Sequence, residues 1–499
     1  MNNQLKQKNS EIIKFISETV SDYISKNTYD NPVVEHKPLS DLQKLINCSL
    51  PEESGGIERV FKLVEEYLKY CVKTGHPQFF NQLWSGFNVT GFIGEIVTAL
   101  TNTSMYTYEV APVATIIEMT IIKKLLSLIG FCENGWGTFV TGGSNGNLLA
   151  MLIARNRLLD HGEKLENLCV FYSEKAHYSL DTAAMVLGIS KSNIIKIPAN
   201  DRHEMDSDIL CLKINETIEQ NKKPFFVCAT AGTTVAGNFD PIFDIANILK
   251  EHKYCWFHID GAHGGSVLLS RTHKYLLAGA NLANSLVWDG HKVMGAPLIC
   301  SVFLLSDKKF LNFHENNTAA NDYLFHSQEE SDAVEQNLNL GTYSLQCGRR
   351  ADCVKLWLMW NHYGTHGLES RLDRLVSLAR YAESKINSSD KITLAIDSNY
   401  VNVCFYYNVI NSSVNHDWIH EKIKKTLYEN GTCMVNTAKI NNKMCIRLVI
   451  SNPEIMESDL DIFFKNLIET GERIISEHSK SFEPEITTFQ NQSKLICEC

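Results

Sequence analysis

The segment Trp256-Phe257-His258-Ile259-Asp260-Gly261-Ala262-His263-Gly264-Gly265 decides how this chain folds. A short, mostly apolar run followed by glycines reads as a buried strand. Asp260 closes that run, and a carboxylate at the end of an apolar strand is costly to bury without a partner. A protonated ring nitrogen or a metal ion would serve, and the small residues that follow would let a flat ligand lie close. The plainer alternative is an aspartate that accepts backbone N–H groups in its own turn. His258 and His263 flank Asp260 five residues apart, which is not the spacing of a helical metal pair, and no metal is expected.

Outward from this segment, short β-rich runs alternate with helical ones. Strands are expected over 137–140, 168–172, 194–197, 225–229 and 285–288, and helices over 147–159, 179–187 and 242–250. This alternation predicts an α/β domain with a mostly parallel sheet, in which ligands sit at the C-terminal ends of the strands. Before it, amphipathic helices are expected over the first seventy residues, including 41–50 and 56–73. After it, a charged helix over 368–386, strands over 392–397, 401–407 and 444–451 and a helix over 458–476 predict a smaller α+β domain. The expected division is 1–90, a helical dimerisation segment; 91–367, a large cofactor domain; and 368–499, a small C-terminal domain with a tail.

Three further features stand at predicted strand ends. Thr141-Gly142-Gly143-Ser144-Asn145-Gly146-Asn147 joins a strand to a helix. Its glycines permit a tight turn, and the free N–H groups of a helix N-terminus favour an anion. It is neither a Walker A loop nor a dinucleotide fingerprint, and a plain Gly-rich turn with an Asn cap is the alternative. Lys292, in Trp288-Asp289-Gly290-His291-Lys292, follows another apolar run. Held in a confined pocket, a lysine can form a Schiff base; in isolation it reads as a solvated loop residue. His177, in Glu174-Lys175-Ala176-His177-Tyr178-Ser179, offers a flat imidazole that could stack on an aromatic ring or simply pack. Together, a phosphate cup, a stacking ring, a carboxylate for a ring nitrogen and a Schiff-base lysine are what pyridoxal 5'-phosphate (PLP) requires.

Composition narrows the function classes. The 499 residues carry 57 acidic and 47 basic side chains, a formal charge of −10, the wrong sign for a nucleic-acid coat. The most apolar stretch, 116–131, is broken by Glu118, Lys123 and Lys124, so no membrane span is expected. The fifteen cysteines are odd in number and contain no Cys-x-x-Cys pair. Reduced thiols in a cytoplasmic enzyme are the simplest reading, and the polar first residues lack the apolar core of a signal peptide.

Read as whole segments, the sequence resembles the group II PLP-dependent amino acid decarboxylases of fold type I, in the branch of glutamate, cysteine sulfinate and acidic amino acid decarboxylases. The resemblance runs from about residue 41 to 471. It is carried by His76-Pro77-Gln78-Phe79-Phe80-Asn81-Gln82-Leu83, Thr107-Tyr108-Glu109-Val110-Ala111-Pro112-Val113, Trp288-Asp289-Gly290-His291-Lys292-Val293-Met294-Gly295, Leu345-Gln346-Cys347-Gly348-Arg349 and Arg447-Leu448-Val449-Ile450-Ser451-Asn452-Pro453.

The resemblance implies roles. Lys292 would hold PLP, Asp260 would pair with the pyridine nitrogen, and His177 would stack opposite Ala262. Gly143, Ser144 and His291 would lie at the phosphate end. Gln346 and Cys347 would approach the cofactor of a second subunit in a homodimer. Arg447, with Gln82, would grip the distal acid group of the substrate, and Tyr323 would return a proton to Cα after CO2 leaves. Trp84 and Ser104 stand where the glutamate enzymes differ. A bulky Trp84 would shorten the pocket, so aspartate or cysteine sulfinate is expected over glutamate, giving β-alanine or hypotaurine. The alternatives are a glutamate decarboxylase making GABA and a catalytically dead homologue acting as a binding partner.

Overall fold

The computed structural model describes residues 2–131, 133–311, 338–409 and 414–481. Helices α1 (Asn2–Ser25), α2 (Leu39–Leu45) and α3 (Gly56–Tyr70) open the chain. α1 meets α3 through stacked Phe15 and Phe61 rings, 3.9 Å between centroids. No residue of α3 is buried, and Val60 and Tyr67 face outward. Helix α4 (Val89–Thr101) is capped by Asn88, whose side chain accepts the Gly91 N–H at 2.8 Å. Helix α5 (Pro112–Ile129) begins on a proline at its first position, where the missing N–H costs nothing. It contains most of the 116–131 stretch, and its apolar side lies against the large sheet. No described helix is long and apolar enough to cross a membrane.

The large sheet has seven strands: β1 (Trp136–Val140), β2 (Leu168–Ser173), β3 (Ile194–Ile197), β4 (Lys223–Thr230), β5 (Trp256–Asp260), β6 (Ser285–Asp289) and β7 (Ser301–Leu305). Their order is β1-β7-β6-β5-β4-β2-β3. β2 to β6 are parallel, and β7 runs antiparallel to both neighbours. The expected mostly parallel α/β domain is therefore present, with the reversed β7 an addition to it. Helices α6 (Gly143–Asp160), α7 (Ser179–Val186), α8 (Ser207–Glu219) and α9 (Ile242–Leu249) fill the crossovers. α6 and α7 cover one face with a core of their own. A second, continuous core joins α5 and α9 on the other face to the C-terminal part.

That part contains α10 (Cys353–Asn387), β8 (Ile392–Leu394), β9 (Asn402–Tyr407), α11 (His416–Glu429), β10 (Asn436–Ile440), β11 (Lys443–Val449) and α12 (Glu457–Ser481). Its strands form an antiparallel sheet in the order β10-β11-β9-β8. α10 bends at Gly364, whose φ of 65° and ψ of 175° are not helical; an L side chain rarely adopts that backbone. Residues on both sides of α2 and α3 also bond to the C-terminal part. The Phe80 N–H donates to the Met434 carbonyl at 2.7 Å and the Val33 N–H to the Gly431 carbonyl at 2.9 Å. The small sheet thus carries residues 79–85 to the edge of the large one, where Arg447 waits.

Candidate active site

Three strand ends converge. β5 stops at Asp260, β6 stops at Asp289, and β1 runs through Thr141 and Gly142 into α6. Gly142 has φ +108°, and a Cβ built on it would meet nothing within 4 Å, so this turn faces open space. Gly143 is the opposite: a Cβ there would lie 2.8 Å from the Ala262 Cβ and 3.1 Å from Asp289 Oδ2. The first turn of α6 therefore presses on the ends of β5 and β6. No side chain caps it; the Asn145 and Gly146 N–H groups donate to the Gly142 carbonyl, which leaves those of Gly143 and Ser144 for an anion. Ser144 stands exposed on that turn.

Lys292 Nζ lies 3.2 Å from Asp289 Oδ2; the lysine side chain is 19% exposed and the aspartate 3%. Asp289 Oδ1 has no partner. His291 Nδ1 sits 3.1 Å from both the N and the O of Cys300, and its Nε2 is 3.7 Å from Asp289 Oδ2. Burial holds the His291 imidazole below its usual range, against the pull of Asp289. Asp260 accepts the Ala262 N–H on Oδ1 at 3.1 Å and the Asn147 side-chain N–H on Oδ2 at 2.8 Å. His177 accepts the Ser179 N–H on Nδ1 at 3.2 Å. Its imidazole is lowered first by burial, is raised by Asp260 and is lowered again by Lys292. The charges acting on it are those of the group just described.

A second group lies on the small sheet. Arg447 of β11 is buried and faces Cys404 across the ladder. It donates to the Thr234 carbonyl at 3.1 Å and to the Asn81 carbonyl at 2.9 Å, and its Nε has no partner. Burial lowers its pKa. Gln82, exposed beside Asn81, donates to the Asn81 Oδ1 at 2.5 Å. Between the two groups sits His263, which is buried, with its ring edge-on to Tyr400 at 4.9 Å. Neither of its ring nitrogens reaches a well-formed hydrogen bond, the Gly232 backbone being the nearest candidate. Burial, then the charges of Lys292 and Arg447, push its pKa down to about 3, so it is neutral. Asn147, Asp289 and His263 are site residues that the motif reading did not single out.

The remaining candidates are spread more widely. Trp84 lines a cavity of about 200 Å³ with Thr74, Phe92, His291 and Gly295, so it borders the lysine loop. Ser104 accepts the Arg349 N–H at 3.4 Å and shares no described hydrogen-bond partner with Arg447. Its hydroxyl keeps its own O–H donor, and its expected contact with substrate stays a proposal. Cys347 is exposed, and its neighbour Gln346 donates to Thr141 Oγ1 of the same chain at 3.0 Å. Tyr323 lies outside the described residues.

The arrangement suits PLP. An open glycine turn with free N–H groups stands beside His291, a lysine projects from the end of β6, and a buried carboxylate keeps lone pairs for a ring N–H. The partnerless Asp289 Oδ1 lies beside the Gly143 turn.

Comparisons with known proteins agree with this reading. Residues 39–408 match the family model described as the pyridoxal-dependent decarboxylase conserved domain. Cysteine sulfinic acid decarboxylases of Mus musculus and Rattus norvegicus are each 36% identical over 455 residues, covering 88% of this chain and 91% of theirs. The crystal structure of mouse CSAD superposes with a TM-score of 0.86 at 34% identity, over 93% of this chain and 98% of that one. Tryptophan decarboxylase of Catharanthus roseus shares the fold, with a TM-score of 0.83 at 21% identity over 95% of this chain and 99% of its own.

Proposed function

The chain belongs to the pyridoxal-dependent decarboxylase family, and from that premise we propose that it removes the α-carboxylate of a short acidic amino acid. Cysteine sulfinate and aspartate are the substrates, and hypotaurine and β-alanine the products. Bound PLP supplies an electron sink for the pair released when the Cα–carboxylate bond breaks.

The chain's own residues divide the remaining work. Lys292 holds the cofactor covalently between turnovers. Asp260 meets the pyridine nitrogen, His177 covers one ring face and Ala262 the other, and Gly143, Ser144 and His291 receive the phosphate. Arg447 and Gln82 fix the distal acid group of the substrate, which orients the α-carboxylate for loss. A planar guanidinium matches a carboxylate or sulfinate in two bonds. Tyr323 is the proposed donor of the proton to Cα.

Arg447 carries the substrate reading. It is a buried cation with an unserved Nε, fixed by two carbonyls rather than neutralised by a carboxylate, so an acidic ligand has something to gain there. The named activity of the mammalian relatives supports cysteine sulfinate, and the bulk of Trp84 at the loop that bears Lys292 supports a short acid.

The working unit is a homodimer. α4 exposes Val89, Ile93, Ile96, Val97 and Leu100, and α5 exposes Val113, Ile116 and Met119. An apolar surface of that extent marks an interface, and a second copy would bring Cys347 toward the neighbouring cofactor. The division at residues 90 and 367 follows the functions of the parts: dimerisation, cofactor, and the small domain that carries Arg447. The described cysteines are free thiols, in keeping with a cytoplasmic location.

The test is a panel of aspartate, cysteine sulfinate and glutamate with CO2 release and amine product both measured. Higher kcat/KM on the two shorter acids is expected. A clear preference for glutamate overturns the substrate assignment, and keto-acid formation without CO2 overturns the reaction.

A further inference from the structure

Behind Asp260 lies a row of buried polar side chains that none of the roles above uses. Trp256 Nε1 is 2.8 Å from Ser285 Oγ, Ser285 Oγ is 2.8 Å from His258 Nδ1, and His258 Nε2 is 2.9 Å from Asn147 Oδ1. Asn147 Nδ2 then donates to Asp260 Oδ2 at 2.8 Å and to Ser179 Oγ at 2.9 Å. Trp256, Ser285, His258 and Asn147 are all essentially inaccessible.

The two ends fix the direction of every bond between them. An indole N–H can only donate, and a carboxylate can only accept. With its amide nitrogen toward Asp260, Asn147 turns its oxygen to His258, so Nε2 must carry the imidazole proton. Burial pushes the His258 pKa down to about 3, so there is only one such proton. Nδ1 is then an acceptor and takes the Ser285 hydroxyl hydrogen, which leaves Ser285 free to accept from Trp256. The reverse orientation would set the Asn147 oxygen against a carboxylate oxygen at 2.8 Å, which is repulsive. Chains of aligned hydrogen bonds in a low-dielectric interior reinforce one another.

We propose that Asn147 is a positioning residue for the cofactor. Trp256, Ser285 and His258 orient it through a one-way run of donors that ends on Asp260 and holds that carboxylate as an acceptor facing the pyridine nitrogen. The assignment rests on the reading that Asp260 meets that nitrogen. Strand register explains how four distant residues meet. His258 lies opposite Ser285 across β5 and β6, and Asn147 sits in the second turn of α6, which packs on those strands.

The test uses the full-length protein reloaded with PLP, reading the dissociation constant of PLP and the absorbance of the bound cofactor. Asn147→Leu keeps the volume and removes the donor. It is expected to weaken PLP on the order of tenfold and to reduce the long-wavelength band that a protonated pyridine nitrogen favours. His258→Leu should act in the same direction. His258→Gln should restore most of both signals, because its amide can donate to Asn147 while its oxygen accepts from Ser285. If Asn147→Leu does not fold, the His258→Leu and His258→Gln pair decides. Wild-type affinity and spectrum in Asn147→Leu overturn the proposal, and so does a His258→Gln protein that matches His258→Leu. Asp260→Asn separates the causes. If it changes both signals while Asn147→Leu does not, the relay alone is wrong. If Asp260→Asn changes neither, the assignment of Asp260 falls and the relay falls with it.

Discussion

Arg447 shows what a single residue can settle and what it needs from its surroundings. Two backbone carbonyls hold its terminal nitrogens, so the guanidinium is aimed before any ligand arrives. Lysine could supply the charge but not the planar fork. Arg447→Lys is therefore expected to lower kcat/KM for the acidic substrates on the order of tenfold to a hundredfold, mainly through KM, while PLP still binds. His258 gives a pH prediction. Its folded pKa of about 3 lies below the unfolded value of about 6.5, so the folded chain binds fewer protons there. Its stabilising contribution is complete above pH 6.5 and is lost as pH falls from about 6.5 toward 3. Acid melting curves should fall less steeply for His258→Gln than for wild type, by up to about 1.4 kcal/mol per pH unit in that window.

At the scale of elements, the clearest structural commitment is the ion pair between α5 and the segment leading into α10. Arg349 meets Glu118 in two bonds, 2.7 and 2.9 Å, with both side chains almost wholly buried. Glu118 Oε1 also accepts the Phe139 N–H of β1 at 3.3 Å. Glu118→Gln would leave a buried guanidinium without its counter-charge. A loss of about 3–5 kcal/mol in unfolding free energy is expected, read from denaturant midpoints. Strands β1 to β6 and helices α6, α7 and α9 of the large domain were legible because each apolar run stops at a polar or glycine residue. Elements that were not expected include α4, α5, α8, α11, β7 and β10. β10 is an edge strand, Asn436–Ile440, whose pattern barely alternates. β7 follows the lysine loop closely, and no strand was expected over 301–305. The strand expected over 392–397 is present but ends at Leu394. The chemistry divides in the same way. Asp260, Lys292 and His177 follow strands and stood out. Asn147 read as a helix cap, although its side chain faces the sheet, and only the packing of α6 on β5 and β6 reveals its partners.

The proposed site draws on both sheets. Residues 79–85 are pinned to the small sheet, so the N-terminal part brings Asn81 and Gln82 to Arg447 while the large sheet supplies the cofactor residues. The resemblance in sequence pointed to this division of labour. The crossing of 79–85 onto the other domain needed the fold, because pairing between residues 350 positions apart leaves no local pattern. The exposed faces of α4 and α5 lead to a prediction at this scale. Ile96→Glu on α4 should shift the protein toward monomer in sedimentation, and activity should then fall on dilution. A variant that stays fully active as a monomer would place the complete site within one chain.

The central claim is that the strand ends around Lys292 form a covalent PLP site. Borohydride reduction of the PLP-loaded protein, followed by peptide mass spectrometry, tests it most directly. The account predicts a reduced phosphopyridoxyl group on Lys292 and its loss in Lys292→Ala. A label on another lysine, or none on the wild-type protein, would contradict it.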